Sequence, residues 1–263
     1  MVRPRLATGP GASSRASTDR RISDLKRSLL LALLLAGTLA SRARADGINL
    51  AWNNCLASSQ AVSDLKFSCD DDSRSFSVIG SFIPPGGINH LTANEYLIEV
   101  MSDRNDLPDW WRMDEAGCRA GSLGSQASFA GMMGCGNYWG NAVAGGVILE
   151  PSLDRAGRWR LRGVQAKSQI LAGPVSPGKE YYAFQVIIDS QKSSGACGGC
   201  SDGVCLVLTS IKLTQPVGEG DYTLTNPATR ACVTWQGGAA SCPTACRQQT
   251  RRVTWGQVKN LYR

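Results

Sequence analysis

The sequence predicts an all-β protein, an antiparallel β-sandwich of the immunoglobulin-like or jelly-roll-like kind that is stapled by disulfides. Three observations support this prediction. Apolar and polar residues alternate in many short segments, Gly, Pro and Asn separate these segments, and apolar residues at helical spacing are rare. Strands that are apolar on one side are typical of sheets with one face on a core and the other in water.

The first three strands are predicted in the amino-terminal part of the domain. Alternation predicts a strand at residues 48–52 and a second at 76–82, which stops at the Pro-Pro-Gly-Gly sequence of residues 84–87. In the third, at residues 95–100, apolar residues alternate with Glu95, Leu97 and Glu99. These glutamates lie about 13 Å apart along a strand, too far apart for a glycosidase pair.

The remaining strands follow the same pattern. Trp159 and Leu161 alternate with arginines, and the clearest strands are predicted at residues 180–189 and 205–215. A last short strand is predicted at residues 222–225. In the 205–215 strand one face is expected to carry the following apolar or β-branched residues: Val207, Thr209, Ile211 and Leu213.

Two regions lack this alternation. Residues 117–150 are rich in Gly and Ala, which predicts an irregular loop or short helix that covers one end of the sandwich. From Pro227 onward the chain is polar and Arg-rich, which predicts a poorly ordered tail. The expected organisation is therefore a β-sandwich domain at residues 46–226 followed by a tail at residues 227–263.

Residues 1–45 have the three parts of a cleavable secretory signal peptide. A basic stretch precedes an apolar run of about eleven residues from Leu29 to Leu39, and Ala43-Arg44-Ala45 forms a small-x-small cleavage site. The apolar run is too short to span a bilayer unaided, and no longer one follows. The sequence therefore predicts a secreted protein that is extracellular, periplasmic or at the cell surface, without a transmembrane segment.

The positive net charge of the chain belongs to this leader. Residues 1–45 contain nine of the 28 basic residues and two of the 21 acidic residues, so 19 of each sign remain after cleavage. A formally neutral mature chain argues against a nucleic-acid partner, because such binding depends on a basic surface that neutralises phosphates.

All ten cysteines follow the leader, and export predicts that they are paired. Spacing favours the local disulfides Cys55–Cys69 and Cys118–Cys135, although ten cysteines allow about 945 pairings. Two alternatives are a redox Cys197-x-x-Cys200 motif and a zinc site made by Cys197, Cys200, Cys242 and Cys246. The predicted disulfide cysteines are Cys55, Cys69, Cys118, Cys135, Cys197, Cys200, Cys205, Cys232, Cys242 and Cys246.

Two aromatic pairs are candidates for ligand contact. Trp110 and Trp111 would point to opposite faces of a strand, and an outward Trp beside Arg112 is the type of ring that stacks on a sugar. Tyr138 and Trp139 in the Gly-rich region would add a second platform. The alternative is that these rings pack in the core.

Acidic loops supply the candidates for metal binding and catalysis. Asp103, Asp106 and Asp109 lie in one loop and could ligate a structural calcium ion, the one cofactor that the sequence suggests, although solvated carboxylates are the alternative. The Asp70–Asp72 cluster is a second candidate for calcium. Asp103, Asp106 and Asp109, with Glu115, could provide acid and base in a hydrolase that acts on extracellular polysaccharide. His90 is the one histidine, and no nucleophile elbow accompanies it, so a loop position in solvent is expected.

Three sequence stretches carry a resemblance to other proteins. They are Leu107–Trp111, residues 180–216 with their three cysteines, and Gly220–Pro227 followed by Val233–Gly238. With them the chain resembles a group of uncharacterised exported bacterial all-β proteins that share a Trp-Gly-x-x-Lys-x-x-Tyr-Arg tail. The resemblance implies export and a shared β domain, and it transfers no activity.

Together these observations predict an exported, non-catalytic binding or surface-structural module, with carbohydrate as one candidate ligand. The predicted partners are a glycan or another component of the cell surface. The alternative is the secreted polysaccharide hydrolase with loop carboxylates. A third interpretation is a subunit of a surface assembly that associates through an exposed strand edge.

Overall fold

The computed structural model describes residues 46–126, 128–140, 143–153 and 158–246. The predicted signal peptide and the carboxyl-terminal motif of the resemblance lie outside these residues. The described part contains eleven strands and no α-helix: β1 (Gly47–Trp52), β2 (Asp64–Leu65), β3 (Ser75–Ile83), β4 (Ala93–Ser102), β5 (Leu123–Gln126), β6 (Val143–Pro151), β7 (Trp159–Lys167), β8 (Tyr181–Asp189), β9 (Val204–Thr214), β10 (Tyr222–Leu224) and β11 (Cys232–Trp235). No described helix is long and apolar enough to cross a membrane.

The strands form two sheets, which confirms the all-β sandwich. The smaller sheet has the order β1-β3-β8-β5, and the larger has the order β2-β11-β9-β4-β7-β6, with β10 also paired to β9. The described pairings within these sheets are antiparallel except the short one between β2 and β11. Strands that are neighbours in a sheet are therefore often distant in the chain.

The core lies between the two sheets, and a stacked aromatic pair connects them. The rings of Tyr96 on β4 and Phe184 on β8 stack with centroids 3.7 Å apart. Two glycines make room for this pair, because a Cβ at Gly163 would overlap the Tyr96 ring and a Cβ at Gly80 would overlap the Phe184 ring. Close packing of this kind makes both positions sensitive to added volume.

The face predicted for β9 is wrong in its first half. The register between β4 and β9 shifts at Leu97, so that Thr209 is an extra residue in β9 and donates its hydroxyl to Leu97 O at 3.1 Å. The bulge exchanges the two faces. Leu206 and Leu208 are therefore buried ahead of the bulge in place of Val207 and Thr209, while the next inward residues, Ile211 and Leu213, are buried as predicted.

Strands also occur in both regions for which the sequence predicts none. β5 and all of β6 except Pro151 lie within residues 117–150, where frequent glycines obscure the alternation. β11 lies within the predicted tail, and all four of its residues are buried. It pairs with β9 on one side and β2 on the other. The β-sandwich therefore extends past residue 226, because pairing with two strands stabilises a segment that shows no alternation of its own.

All ten cysteines form disulfides, as predicted, but with different partners. The five bonds are Cys55–Cys135, Cys69–Cys200, Cys118–Cys197, Cys205–Cys242 and Cys232–Cys246. The local pairs Cys55–Cys69 and Cys118–Cys135 are thus wrong, because the fold brings distant loops together. No thiol remains for zinc, and Cys197 and Cys200 are not joined to each other as a redox couple would be.

Candidate functional site

Trp110 and Trp111 belong to the core, so the expected outward-facing ring is absent. They lie in a short 3₁₀ turn, Asp109–Trp111, that follows Pro108, and both are 0% exposed. Their ring centroids lie 4.7 and 5.8 Å from that of Trp235 on β11. The prediction placed the two rings in a strand and overlooked Trp235, which completes this aromatic cluster.

A buried arginine secures the same cluster. The guanidinium of Arg119 lies 3.7 Å from the Trp110 ring centroid and donates to Trp110 O at 2.7 Å and to Gln191 O at 2.8 Å. Burial lowers the pKa of Arg119 to about 10. Trp110 Nε1 in turn donates to Ser193 Oγ at 2.8 Å. This arrangement holds the loops around the cluster in place and leaves no ring face to a ligand.

The second aromatic pair is also engaged with the protein. Trp139 is buried and donates its Nε1 to Tyr182 O at 2.8 Å. Tyr138 is half-buried, its hydroxyl accepts from Gly173 N at 2.9 Å, and Lys167 Nζ lies 3.7 Å from its ring centroid. Burial raises the pKa of Tyr138 and lowers that of Lys167.

Tryptophan provides no platform for stacking in the part of the chain that the structure describes. The six tryptophans found there are all buried: Trp52, Trp110, Trp111, Trp139, Trp159 and Trp235. The seventh, Trp255, lies outside the described residues. The physical basis on which carbohydrate contact was predicted, an exposed indole ring, is therefore missing from the described surface.

The candidate calcium ligands bond to different protein groups. Asp103 accepts from the backbone N–H groups of Ala240 and Ser241, at 2.6 and 2.7 Å. Asp106 accepts from Trp159 Nε1 at 2.5 Å and lies 3.6 Å from an Arg112 guanidinium nitrogen. Asp109 is exposed. Among the described residues no group of three or more His, Cys, Asp and Glu side chains is arranged to hold a metal.

The remaining candidates for chemistry lie at the surface. His90 is exposed, as expected, and its Nδ1 lies 2.7 Å from Glu219 Oε1. The Asp70–Asp72 sequence is a loop in which Asp71 binds Ser73 and Arg74. These hydrogen bonds, led by that from the Ser73 hydroxyl, lower the pKa of Asp71 to about 2. Each group thus has a local structural partner.

The feature that distinguishes this surface is the outer edge of the larger sheet, formed by β6. The register pairs Val143 of β6 with Lys167 of β7, and Glu150 with Arg160. Ser152 N donates to Arg158 O at 2.8 Å, and this pair continues the register between β6 and β7. Lys167 N points to the opposite side of β7, where it donates to Thr92 O at 2.9 Å. Bonded and non-bonded pairs alternate in an antiparallel ladder. The even-numbered residues of β6 therefore bond to β7.

The odd-numbered residues consequently direct their backbone groups away from the sheet. They are Val143, Gly145, Val147 and Leu149, with Pro151 at the end of the strand. Within the described residues no hydrogen bond to the backbone of the first four is found beyond the sheet. β5 of the other sheet lies nearby but forms no ladder with β6. This β6 edge, residues 143–151, is an open row of donors and acceptors.

An apolar groove lies beside the β6 edge on the outer face of the sheet. It has a volume of about 560 Å³ and is lined by Glu95, Gly146, Val147, Ile148, Arg162, Gly163 and Val164. Ile148 is 56% exposed and Val164 is 42% exposed. A Cβ added to Gly146 would meet no atom within 4 Å, so the space above this glycine is empty.

Ion pairs neutralise the charges around this groove. Arg162 Nη2 lies 2.9 Å from Glu150 Oε1, and Glu95 Oε1 lies 3.5 Å from Lys212 Nζ. Arg158, just ahead of β7, likewise has its Nη1 2.7 Å from Glu99 Oε2. The surface is therefore suited to an apolar, hydrogen-bonding partner more than to a strongly charged one.

Comparison with known proteins assigns no family. Neither the protein-family models nor the curated proteins include a match. Among solved structures, a cohesin module from a family 33 glycoside hydrolase of Clostridium perfringens is 11% identical, with 72% of this chain and 94% of that chain covered and a TM-score of 0.30. A type II cohesin domain from the cellulosome of Acetivibrio cellulolyticus is 6% identical, with 74% and 90% covered and a TM-score of 0.26.

Proposed function

We propose that this chain is an exported, non-catalytic binding module that holds an extended segment of a protein partner along the β6 edge. The observation that carries the proposal is the row of outward-facing backbone groups at Val143, Gly145, Val147 and Leu149. Unpaired strand edges are natural templates for the addition of another strand. Export is supported by the leader pattern and by the five disulfides, which are typical of oxidising compartments.

Strand addition would divide affinity and selectivity between two parts of the site. The backbone of β6 supplies hydrogen bonds that any extended peptide can make, while the groove beside Gly146 selects the side chain that lies over it. Pro151 has no N–H, so the ladder weakens at this end of the strand. The preferred partner is therefore a short β-strand with an apolar residue opposite Gly146.

The carbohydrate and hydrolase hypotheses have less support. Of the predicted carbohydrate platforms, Trp110, Trp111 and Trp139 are buried. Tyr138 is half-buried, and Lys167 Nζ lies over its ring. The hydrolase would need two carboxylates that face one substrate, and Asp103 and Asp106 instead accept hydrogen bonds from the protein itself. Neither hypothesis gains a specific observation in its favour.

A peptide selection tests the proposed function. Random dodecapeptides displayed on phage would be selected on immobilised residues 46–263 and on the variant Val147→Pro. This substitution removes an outward N–H without breaking a bond to β7, as Pro151 already does in the native strand. We expect peptides with alternating apolar residues that bind the unsubstituted protein at least about tenfold more tightly than the variant.

The control is co-sedimentation of both proteins with insoluble polysaccharides and cell-wall material. Peptides that bind Val147→Pro as well as the unsubstituted protein would contradict a role for the β6 edge. Polysaccharide binding without any peptide selection would contradict a protein partner and return the assignment to a glycan.

A further inference from the structure

We infer that the strand captured by β6 is β6 of a second copy of this chain, paired antiparallel about a two-fold axis through Val147. This inference rests on the proposed function and names its partner. An interface with two-fold symmetry must be self-complementary, so that each residue suits the one it meets in the other copy. β6 meets this requirement in its side chains, its backbone and its charge.

The side chains of β6 alternate in size about Val147. In this register Gly146 faces Ile148 of the second copy, and Gly145 faces Leu149. Ile148 and Leu149 thus each meet a glycine, which is the arrangement that lets facing layers interdigitate, and the two copies of Val147 meet at the axis. A shift by one residue would place Val147 against Ile148, and it would pair residues whose backbone groups point outward with residues whose groups already bond to β7. Side-chain size and backbone direction therefore disfavour that register.

The backbone is complementary in the same register. Val147 directs its N–H and C=O to the open side, so the two copies of Val147 form a hydrogen-bonded pair. Gly145 and Leu149, which also direct these groups outward, form bonded pairs on either side. The interface would contain about six backbone hydrogen bonds between the copies. These bonds would use the outward backbone groups of Gly145, Val147 and Leu149, for which the described chain supplies no partner.

In this dimer the Ile148 side chain of the second copy would occupy the empty space above Gly146. No atom lies within 4 Å of a Cβ placed on this glycine, and Val164 and Ile148 supply apolar walls. Ile148, itself 56% exposed, would become covered in both copies. Burial of exposed apolar surface is the main favourable term in protein association.

Charge does not oppose this arrangement. Glu150 is the one ionisable residue of β6, and it faces Ala144 of the second copy. Positions 144 and 150 are six residues apart along the strand, so the two Glu150 carboxylates lie about 20 Å apart along the interface. Each remains paired with Arg162 of its own chain. The second copy thus fits the edge without an unpaired or repelled charge.

Sedimentation velocity on residues 46–263 over a wide range of concentration tests this inference. We expect twice the mass of the monomer at high concentration. Gly146→Leu places a side chain where the partner's Ile148 would lie, and its Cβ meets no atom of its own chain within 4 Å. We expect this variant to raise the dimer dissociation constant at least about tenfold. Val217→Lys is the matched control, because it removes an exposed apolar side chain in the turn after β9, a strand that β4 and β7 separate from β6 in the sheet.

A second variant reports the register directly. In a bonded pair centred on Val147, the Cα atoms lie about 5.5 Å apart, within the range that a disulfide spans. Val147→Cys should therefore form a covalent dimer under mild oxidation. Val143→Cys, which faces Pro151 of the other copy, should not.

The outcomes separate the inference from the proposed function. A monomer at all concentrations, or a Gly146→Leu variant as dimeric as the unsubstituted protein, would overturn the second-copy assignment. If peptides still bind in a manner that Val147→Pro abolishes, the partner is another protein and the proposed function stands. If neither dimers nor such peptides are found, both fail.

Discussion

Two edge strands of this sandwich, β1 and β6, differ in what lies beyond them. All six residues of β1 are buried, and its outward N–H groups at Ile48, Leu50 and Trp52 donate to Asn226 O, Arg230 O and Val62 O at 2.8–2.9 Å. β6 is longer and more exposed, and its outward groups have no such partners in the described chain. The comparison shows that the protein's own loops cover one edge, while the other has no such cover among the described residues.

Side-chain hydrogen bonds and a disulfide hold in place the segment that covers β1. Asn49 Oδ1 accepts from Thr229 N and Arg230 N at 2.9 and 3.1 Å, and Asn49 Nδ2 donates to Glu180 Oε1 at 2.9 Å. The chain then continues into β11 and is anchored by Cys232–Cys246. Natural sheets commonly cover an edge that would otherwise bind another chain. In the part of the chain that the structure describes, β6 has no comparable cover, which is why we assign recognition to it.

The largest effect on stability should come from removing the hydrogen bonds that Asn49 makes to the segment covering β1. Asn49→Ala removes the acceptor of two backbone N–H groups and a donor to the buried Glu180. We expect the free energy of unfolding to fall by about 3 kcal/mol, because unsatisfied buried polar groups are costly. Urea denaturation provides the measurement. Asn89→Ala, at an exposed position, is the control, and equal losses in the two variants would contradict a structural role for these hydrogen bonds.

A smaller effect should distinguish the two glycines that line the groove beside β6. Gly163 and Gly146 both line the groove, but a Cβ at Gly163 would overlap the Tyr96 ring, whereas one at Gly146 meets nothing. We expect Gly163→Ala to lower the free energy of unfolding by about 2 kcal/mol through overpacking, and Gly146→Ala to leave it nearly unchanged. Thermal unfolding of the pair provides the comparison. Similar melting temperatures would show that the inner wall of the groove is not close-packed.

Much of this fold could be predicted from local sequence pattern. Strands such as β4, with Tyr96, Ile98 and Val100 inward, show period-two alternation because one face packs on the core and the other meets water. The prediction is wrong for segments whose two faces do not differ in this way. Gly145 and Gly146 remove side chains from β6, β11 is buried on every residue, and the Thr209 bulge exchanges the faces of β9.

The site could not be predicted in the same way. Whether a strand lies at an edge depends on the order of strands in the sheet, and here β4 lies between β9 and β7, which are distant from it in the chain. The burial of Trp110 and Trp111 depends in the same way on Trp235, more than 100 residues further along the chain. An exposed tryptophan and a buried one have the same sequence signature, and only tertiary contacts distinguish them.

The most direct test of the difference between the two edges is residue-resolved amide hydrogen exchange on residues 46–263, measured at low and high protein concentration. We expect the N–H groups of Ile48 and Leu50 to be protected at both concentrations. The N–H groups of Val147 and Leu149 should exchange rapidly in the monomer and become protected as concentration rises. Protection of Val147 equal to that of Leu50 in the dilute monomer would contradict the account, because it would show that the β6 edge is already sealed.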